Sequence, residues 1–325
     1  MAKKFVGQEY MAATNGKGLH QESKGNRILG RTTIIFSTMI TLVSVMIVAF
    51  CIFFQLCPIN GTSMMTTLNA TGEDTDSALT CVVGAPQHGD IIVMKLYLQD
   101  SHLRDTYLAA KGDQAALQRL QSNNPFYTQQ NAINRIKSCI QDDGYIEADS
   151  RGNYKLVVKR LIGVGGDRIS MRAVGNKYYI YLNGTKLDES YLDPLVAEHD
   201  AGNFKQLWQV LNTPETADLD DWVTTDYNQL LEYNSDQAAD GKGTPSAYQI
   251  RIPANHYFVM GDNRGGAIST HPQWSYSWDS TRFGPLPTTS YYSYCVDVLS
   301  NQTSMPEYLW DKFVYYVCFG WVWQK

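Results

Sequence analysis

No charged residue occurs between Thr32 and Gly72, and the stretch from Thr32 to Cys57 is 26 residues dominated by apolar side chains. That run constrains the chain more than any other feature. About 20 apolar residues cross the roughly 30 Å of hydrocarbon in a bilayer, so this one is long enough to span with some tilt. Its Thr and Ser hydroxyls can bond the helix's own carbonyls. A cleaved secretory leader is the alternative, but its apolar stretch is typically about 7–15 residues. Lys24, Arg27 and Arg31 crowd the N-terminal flank, and the other flank carries no positive charge. The positive-inside rule then puts residues 1–31 in the cytoplasm as a basic tail and everything after Pro58 outside.

The remainder is large enough to bury a core. Charged residues are 18% of the 325, which argues against a disordered chain. The net charge of −5 is unevenly divided: residues 1–31 hold six basic and two acidic residues (+4), leaving 21 basic and 30 acidic (−9). An acidic outer portion without a broad basic surface argues against nucleic acid as a partner. Six cysteines in a chain of this length are not a disulfide scaffold. There is no CxxC and no i, i+4 histidine pair, so neither a metal site nor a cofactor is expected.

The outer chain reads as strands interrupted by two polar insertions. His88 to Leu98, Tyr154 to Val164, Arg168 to Val174 and Tyr248 to Met260 are rich in β-branched and aromatic residues. NKYYIYLNGTKL adds a strand, an Asn-Gly turn and a second extended piece, a strong hairpin signal. The first insertion, at about 100–150, has helix-favouring composition. The second, from about Asp188 to Ser246, carries eight acidic residues and no basic one between Glu215 and Asp240. It is either a solvated lobe or a docking surface for a basic partner. The expected organisation is mainly β: a catalytic domain over 58–171 and 247–300, an inserted lobe at 172–246, one N-terminal span at 32–57, and an aromatic-rich segment at 301–325. Phe313 to Trp323 is too short to span. It is either a last buried strand or an aromatic segment at the membrane surface.

Ser63 lies six residues beyond Cys57 in a polar loop, behind Gly61, which allows close backbone approach. Lys159 sits in a strand whose side chains alternate, sharing a face with Val157 and Leu161 while Arg160 points the other way. A lysine on an apolar face either snorkels to solvent or is desolvated. Desolvation lowers its pKa from about 10.4, by up to 3–5 units in extreme cases. A neutral amine beside a serine hydroxyl can act as general base, in the place a histidine holds in a triad.

Four segments in this order resemble the type I signal peptidases, membrane-anchored serine-lysine proteases. GTSMMTTL is similar to the family's G-x-S-M-x-P-T-L, and HGDIIVMK to its following strand. KRLIGVGGD is similar to K-R-x-I-G-x-P-G-D, and MGDNRGG…SWDSTRFGPLP to G-D-N-R…S-x-D-S-R-x-F-G. The resemblance implies a signal-peptidase-like antiparallel β-sheet domain, with Ser63 as nucleophile and Lys159 as general base. Ser63's backbone N–H would serve the oxyanion hole, with Gly61 where some members carry a second donor. Ser277 would orient the lysine, Asp279 would support the site, and Asp262, Asn263 and Arg264 would form a tight turn after Gly261. Met64, Met65 and Leu68 would offer apolar surface to substrate or else pack in the core. The chain departs from the pattern at Thr66 and Gly165, where proline is common. Thr281 stands where arginine is expected, so Arg282 is given no role, because a one-residue shift reverses a strand's face.

The resemblance further implies a peptidase of a bacterial plasma membrane, with its catalytic domain outside. It would remove N-terminal signal peptides from exported preproteins after small residues, in contact with the bilayer and with the secretion machinery as a further candidate partner. The contrasting reading is a catalytically inactive, membrane-anchored scaffold that binds exported or surface proteins. A cytosolic self-cleaving Ser-Lys protein is a further enzyme reading, against which the span argues.

Overall fold

The computed structural model describes residues 24–59, 61–69, 75–95, 101–139, 156–194, 196–216, 227–235, 243–265, 277, 279–300 and 304–317. The chain divides into two units, Met1–Phe53 and Phe54–Lys325. The described part of the first is one helix, α1 (Lys24–Phe53). Its segment Gly30–Phe53 is long and apolar enough to cross a membrane, with none of that surface buried by protein. Inside α1 the hydroxyls of Thr38 and Thr41 donate to the carbonyls of Ile34 and Ser37, as expected where no water is at hand. The helix starts seven residues before Arg31 and stops at Phe53, four short of Cys57. The next five residues form strand β1 (Phe54–Pro58), because they pair with β2 (Ser77–Cys81) in full register from Phe54 opposite Cys81 to Pro58 opposite Ser77.

The second unit is built on two antiparallel sheets. The other strands are β3 (Ile91–Lys95), β4 (Leu156–Val164), β5 (Arg168–Val174), β6 (Lys177–Leu182), β7 (Thr185–Lys186), β8 (Leu231–Tyr233), β9 (Thr244–Pro245), β10 (Tyr248–Arg251), β11 (His256–Met260), β12 (Leu286–Pro287) and β13 (Tyr291–Leu299). A seven-stranded sheet runs β1-β2-β13-β3-β4-β11-β12, and a six-stranded one runs β7-β6-β5-β10-β8 with β9 beside β5. The fold is therefore mainly antiparallel β on one N-terminal apolar helix. The Asn-Gly turn is present: Asn183 and Gly184 both have positive φ, 51° and 79°, between β6 and β7, the backbone a two-residue hairpin requires. The lobe boundary expected at 171/172 falls inside β5.

The first insertion forms α2 (Ser101–Ala110), α3 (Gln114–Asn123) and α4 (Gln129–Cys139). They close around Ala109, Ala116 and Ala132, with the Asp113 side chain capping α3 through the Ala116 N–H. In the second insertion α5 (Gly202–Asn212) places Phe204, Leu207, Val210 and Leu211 on one face, at helical spacing. That face packs against Ile169, Met171, Ile180 and Ile250 of the smaller sheet. Each such side chain contributes about 1.5–3 kcal/mol by burial. A four-residue helix, α6 (Tyr227–Leu230), leads into β8; residues 217–226 and 236–242 of the acidic stretch lie outside the described residues. Two further helices follow, α7 (Ser280–Phe283) and α8 (Met305–Val317). Phe313 to Val317 is thus helical and not a strand, and 318–323 lies outside the described residues. Helix α8 is tied to β13 by the Lys312–Asp297 ion pair at 2.6 Å and by the Tyr308 hydroxyl on Asp297.

Candidate active site

Strand β4 carries the chemistry. Lys159 lies opposite Ile92 of β3, and Arg160 lies opposite Met260, the last residue of β11. The chain leaving β11 therefore turns, at Gly261–Gly265, directly beside this lysine–arginine pair. Lys159 is buried, 3% exposed, and its ammonium does not snorkel to water. Its Nζ lies 2.7 Å from Ser63 Oγ and 3.1 Å from the Val158 carbonyl. Desolvation pulls its pKa down from 10.5 to about 8, while the charges of Asp279 and Asp262 work the other way.

The loop that presents Ser63 is fastened at several points. The Asn69 amide donates to the carbonyls of Ile59 and Gly61, and Asn69 and Asp76 exchange backbone-to-side-chain bonds at 2.7 Å each way. The Asn263 N–H donates to the Ser63 carbonyl, and its side-chain amide to the Thr62 carbonyl. Thr67 donates to Asp262. Gly61 has φ +147°, and among the described residues, its chain neighbours aside, no atom lies within 4 Å of where a Cβ would sit. Met64, Met65 and Leu68 lie in the interior, the second of the two places the sequence left open to them. They are 1%, 3% and 0% exposed, and Met64 and Leu68 join Ile59 and Ala78 in a core cluster. A short loop carrying three large apolar residues has buried them beneath itself and so anchors its serine.

Asp262 is held bidentately by Arg160, at 2.8 and 2.6 Å. The same guanidinium donates to the Gly89 carbonyl and lies 3.9 Å above the Tyr191 ring. Arg264 is fully buried; its Nη1 forms an ion pair with Glu189 at 2.6 Å without hydrogen-bond geometry, while its other nitrogens donate to the Gly261 carbonyl at 2.5 Å and the Tyr191 hydroxyl at 3.2 Å. Burial works against its charge, but Glu189, Tyr191, Asp262 and Asp279 outweigh it and push its pKa up. Burial raises Tyr191 to about 12, so its hydroxyl stays protonated. Gly261 has no room for a side chain: a Cβ would meet Ser277 Oγ at 2.0 Å and the Ser63 carbonyl at 2.3 Å.

Asp279 caps α7 through the Thr281 N–H and also accepts from the Gly261 N–H at 2.9 Å and the Thr281 hydroxyl at 2.8 Å. Burial pushes its pKa up, while those bonds and the nearby lysine pull it down. Thr281, standing where arginine was expected, is thus a donor to Asp279. Ser277 is buried within the cluster; among the described residues its hydroxyl has no hydrogen-bond partner, and no bond to Lys159 is formed. Its backbone is gripped on both sides by Asn203.

The site thus unites Ser63, Lys159, Asp262, Asn263, Arg264, Ser277 and Asp279, drawn from segments far apart in sequence. Sequence reasoning did not single out Asn69, Asp76, Glu189, Tyr191 or Asn203. The first two flank a short polar loop and could have been suspected as its clamp; the last three sit in a segment that reads as solvated.

The family model for signal peptidase, peptidase S26, matches residues 31–293. The chain belongs to that family. The family is one of signal peptidases, and the apolar N-terminal helix of this chain fits a single-pass membrane anchor. Signal peptidase I S of Bacillus subtilis (strain 168) is 30% identical over 113 residues, 35% of this chain and 40% of that protein. The match thus spans less than half the length of this curated relative. The crystal structure of a signal peptidase I from Enterococcus faecalis V583 aligns with 66% of this chain and 99% of its own, at 16% identity and a TM-score of 0.24.

Proposed function

We propose that this signal peptidase family member is an active serine endopeptidase that cuts exported preproteins after small residues of Ala-x-Ala type. Ser63 is its nucleophile and Lys159 its general base. The observation that carries the reading is the 2.7 Å separation of Lys159 Nζ and Ser63 Oγ at a buried amine whose pKa lies near 8. At pH 7 roughly a tenth of such an amine is neutral and able to accept a proton. The same separation serves either direction of the bond: the ammonium donates to the hydroxyl at rest, and the hydroxyl donates to the free amine when the site is armed.

Ser63 Oγ attacks the scissile carbonyl carbon as its proton passes to Lys159. The tetrahedral intermediate then collapses, the C–N bond breaks, and Lys159 returns the proton to the leaving amine. The acyl group is left as an ester on Ser63, which water hydrolyses with Lys159 again taking the proton. A substrate lying extended along a sheet edge fits this geometry. Ser63 follows the last residue of α1 by ten positions, which suits a peptide bond emerging at the membrane surface. Lys24, Arg27 and Arg31 before the span orient the catalytic unit to the outer side of a plasma membrane.

The test is cleavage of a preprotein bearing an Ala-x-Ala site by the detergent-solubilised chain, beside Ser63→Ala. Release of the mature protein by the wild type alone, cut at the expected bond, is the anticipated result. Equal cutting by both would remove Ser63 from the mechanism. Binding without cutting by either would make the chain a scaffold.

A further inference from the structure

We propose that Asn203, in the first turn of α5 in the second insertion, is a positioning residue for the Ser63–Lys159 pair, a role that rests on the reading just given. Its side chain is 1% exposed, and all its bonding goes to the segment beside Lys159. The amide nitrogen donates to the Ser277 carbonyl at 2.7 Å, the Thr281 hydroxyl at 2.9 Å and Asp279 Oδ1 at 3.1 Å. The amide oxygen accepts from the Ser277 N–H at 3.0 Å. None of this serves the helix itself, whose N-cap, Ala201, makes no side-chain capping bond. The backbone is committed to the same place. The Asn203 N–H donates to the Arg264 carbonyl at 2.9 Å. Gly202, at φ +54°, lies so close that a Cβ would come 2.2 Å from that carbonyl.

From Asn203 the geometry leads inward by one further contact. Asp279 accepts from the Gly261 N–H, and Gly261 fills the gap between Ser277 Oγ and the Ser63 carbonyl with no space to spare. The lobe thus sets the position of the wall against which the nucleophile and base are packed. It also sets a charge. Asp279 faces Lys159 from β4 and Arg264 from the turn after β11, with Asp262, Arg160 and Glu189 as their further partners. Thr281, Ser277 and Asn203 are the neutral groups around it. Removing the Asn203 amide takes a donor from a carboxylate that burial already drives toward its neutral acid. An Asp279 that holds its charge less firmly gives less support to the charged form of Lys159, so the lysine titrates lower.

The full chain in detergent is assayed on the Ala-x-Ala preprotein from about pH 5 to about pH 10, comparing wild type, Asn203→Ala, Leu207→Ala and Ser63→Ala. Leu207 lies on the same helix and packs in the apolar core that α5 shares with the smaller sheet and with Ile162, Phe258 and Met260, so it reports what loosening the packing of α5 does without removing a hydrogen bond. For Asn203→Ala we expect kcat to fall about 10-fold with KM within about twofold, and the acidic limb of kcat/KM to move to lower pH. Leu207→Ala should leave that limb where it is. An unmoved limb in Asn203→Ala, or the same displacement in Leu207→Ala, overturns the assignment. If Asn203→Ala does not accumulate folded, Thr281→Val removes the hydroxyl that links Asn203 to Asp279 with little change of shape. The same downward shift is then expected, and its absence is equally fatal. A dead Ser63→Ala with an unmoved limb sinks only the role of Asn203, whereas an active Ser63→Ala sinks the reading on which it rests.

Discussion

The two insertions look alike in composition, polar and helix-permissive, yet they are built into the molecule in opposite ways. Residues 101–139 fold as three helices that pack mainly on one another, around three alanines. The region from β5 to β10 instead has its own sheet and a core of large side chains, and it sends Glu189, Tyr191 and Asn203 into the site. What separates them is where their buried polar groups end. In the first, the ion pair of Arg119 with Asp105 stays within the helices themselves. In the second, polar side chains complete valences that the site's own residues leave open. A buried polar group is stable only when paired, and among the described residues it is the second region whose side chains pair with those of the site.

The largest effect that can break this comparison lies at its reference point. Lys159→Met should lower kcat/KM for preprotein cleavage by at least ~10³-fold. Activity surviving within ~10-fold would mean that another group takes the Ser63 proton, and the lobe's importance to the site would have to be argued afresh. For the wild type, the acidic limb of kcat/KM should fall near pH 8, where the free amine forms on raising the pH.

Next comes the ion pair that joins lobe to site. Glu189→Ala strands the Arg264 guanidinium, which is fully buried, and so should cost about 3–5 kcal/mol. Thermal melts of the detergent-solubilised chain would read this as a large fall in Tm. A change of under about 1 kcal/mol would mean that water reaches Arg264 and that the lobe does not seal the site.

Much of this was readable from the chain, and what was not has a physical reason. Ser63 and Lys159 stood out because each is an anomaly in its own segment, a serine just past a span and a cation on an apolar strand face. The β6–β7 hairpin was legible because its turn chemistry is local. Strand β1 was not: FQLCP continues the apolar run without a break, and only pairing with β2, a non-local event, ends the helix at Phe53. Asn203 gave no signal, since its partners lie 74 to 78 positions away. Helix α5 was hidden by the acidic stretch behind it, although Phe204, Leu207, Val210 and Leu211 carry a helical spacing of their own.

A smaller effect tests whether the site is strained for function. Unfolded, the Lys159 amine titrates near 10.5; folded, at about 8. Between those values the unfolded chain binds more protons, so wild-type stability climbs with pH across that window. Below it the full cost of burying the charge is present, up to about 3 kcal/mol. Lys159→Met has no such cost. It should melt above wild type at pH 7, and the gap should close as the pH approaches 10.5. A gap that stays constant with pH would point to packing and not to charge.

The smallest effect is expected from the largest excision. Lys95 of β3 and Leu156 of β4 are register partners in an antiparallel pair, so the chain leaves and re-enters the sheet at neighbouring points whatever lies between. Replacing 101–139 by a short Gly-Ser linker keeps that closure, and the entropic cost of changing the loop's length is slight, about 0.6 kcal/mol per doubling. The excised helices take with them a core of alanines that the rest of the domain does not share. Cleavage of the Ala-x-Ala preprotein should therefore stay within about threefold of wild type. A loss beyond ~10-fold in kcat/KM with an unchanged melt would show that these helices meet the substrate. The contrast between the two insertions would then be one between holding the site and feeding it.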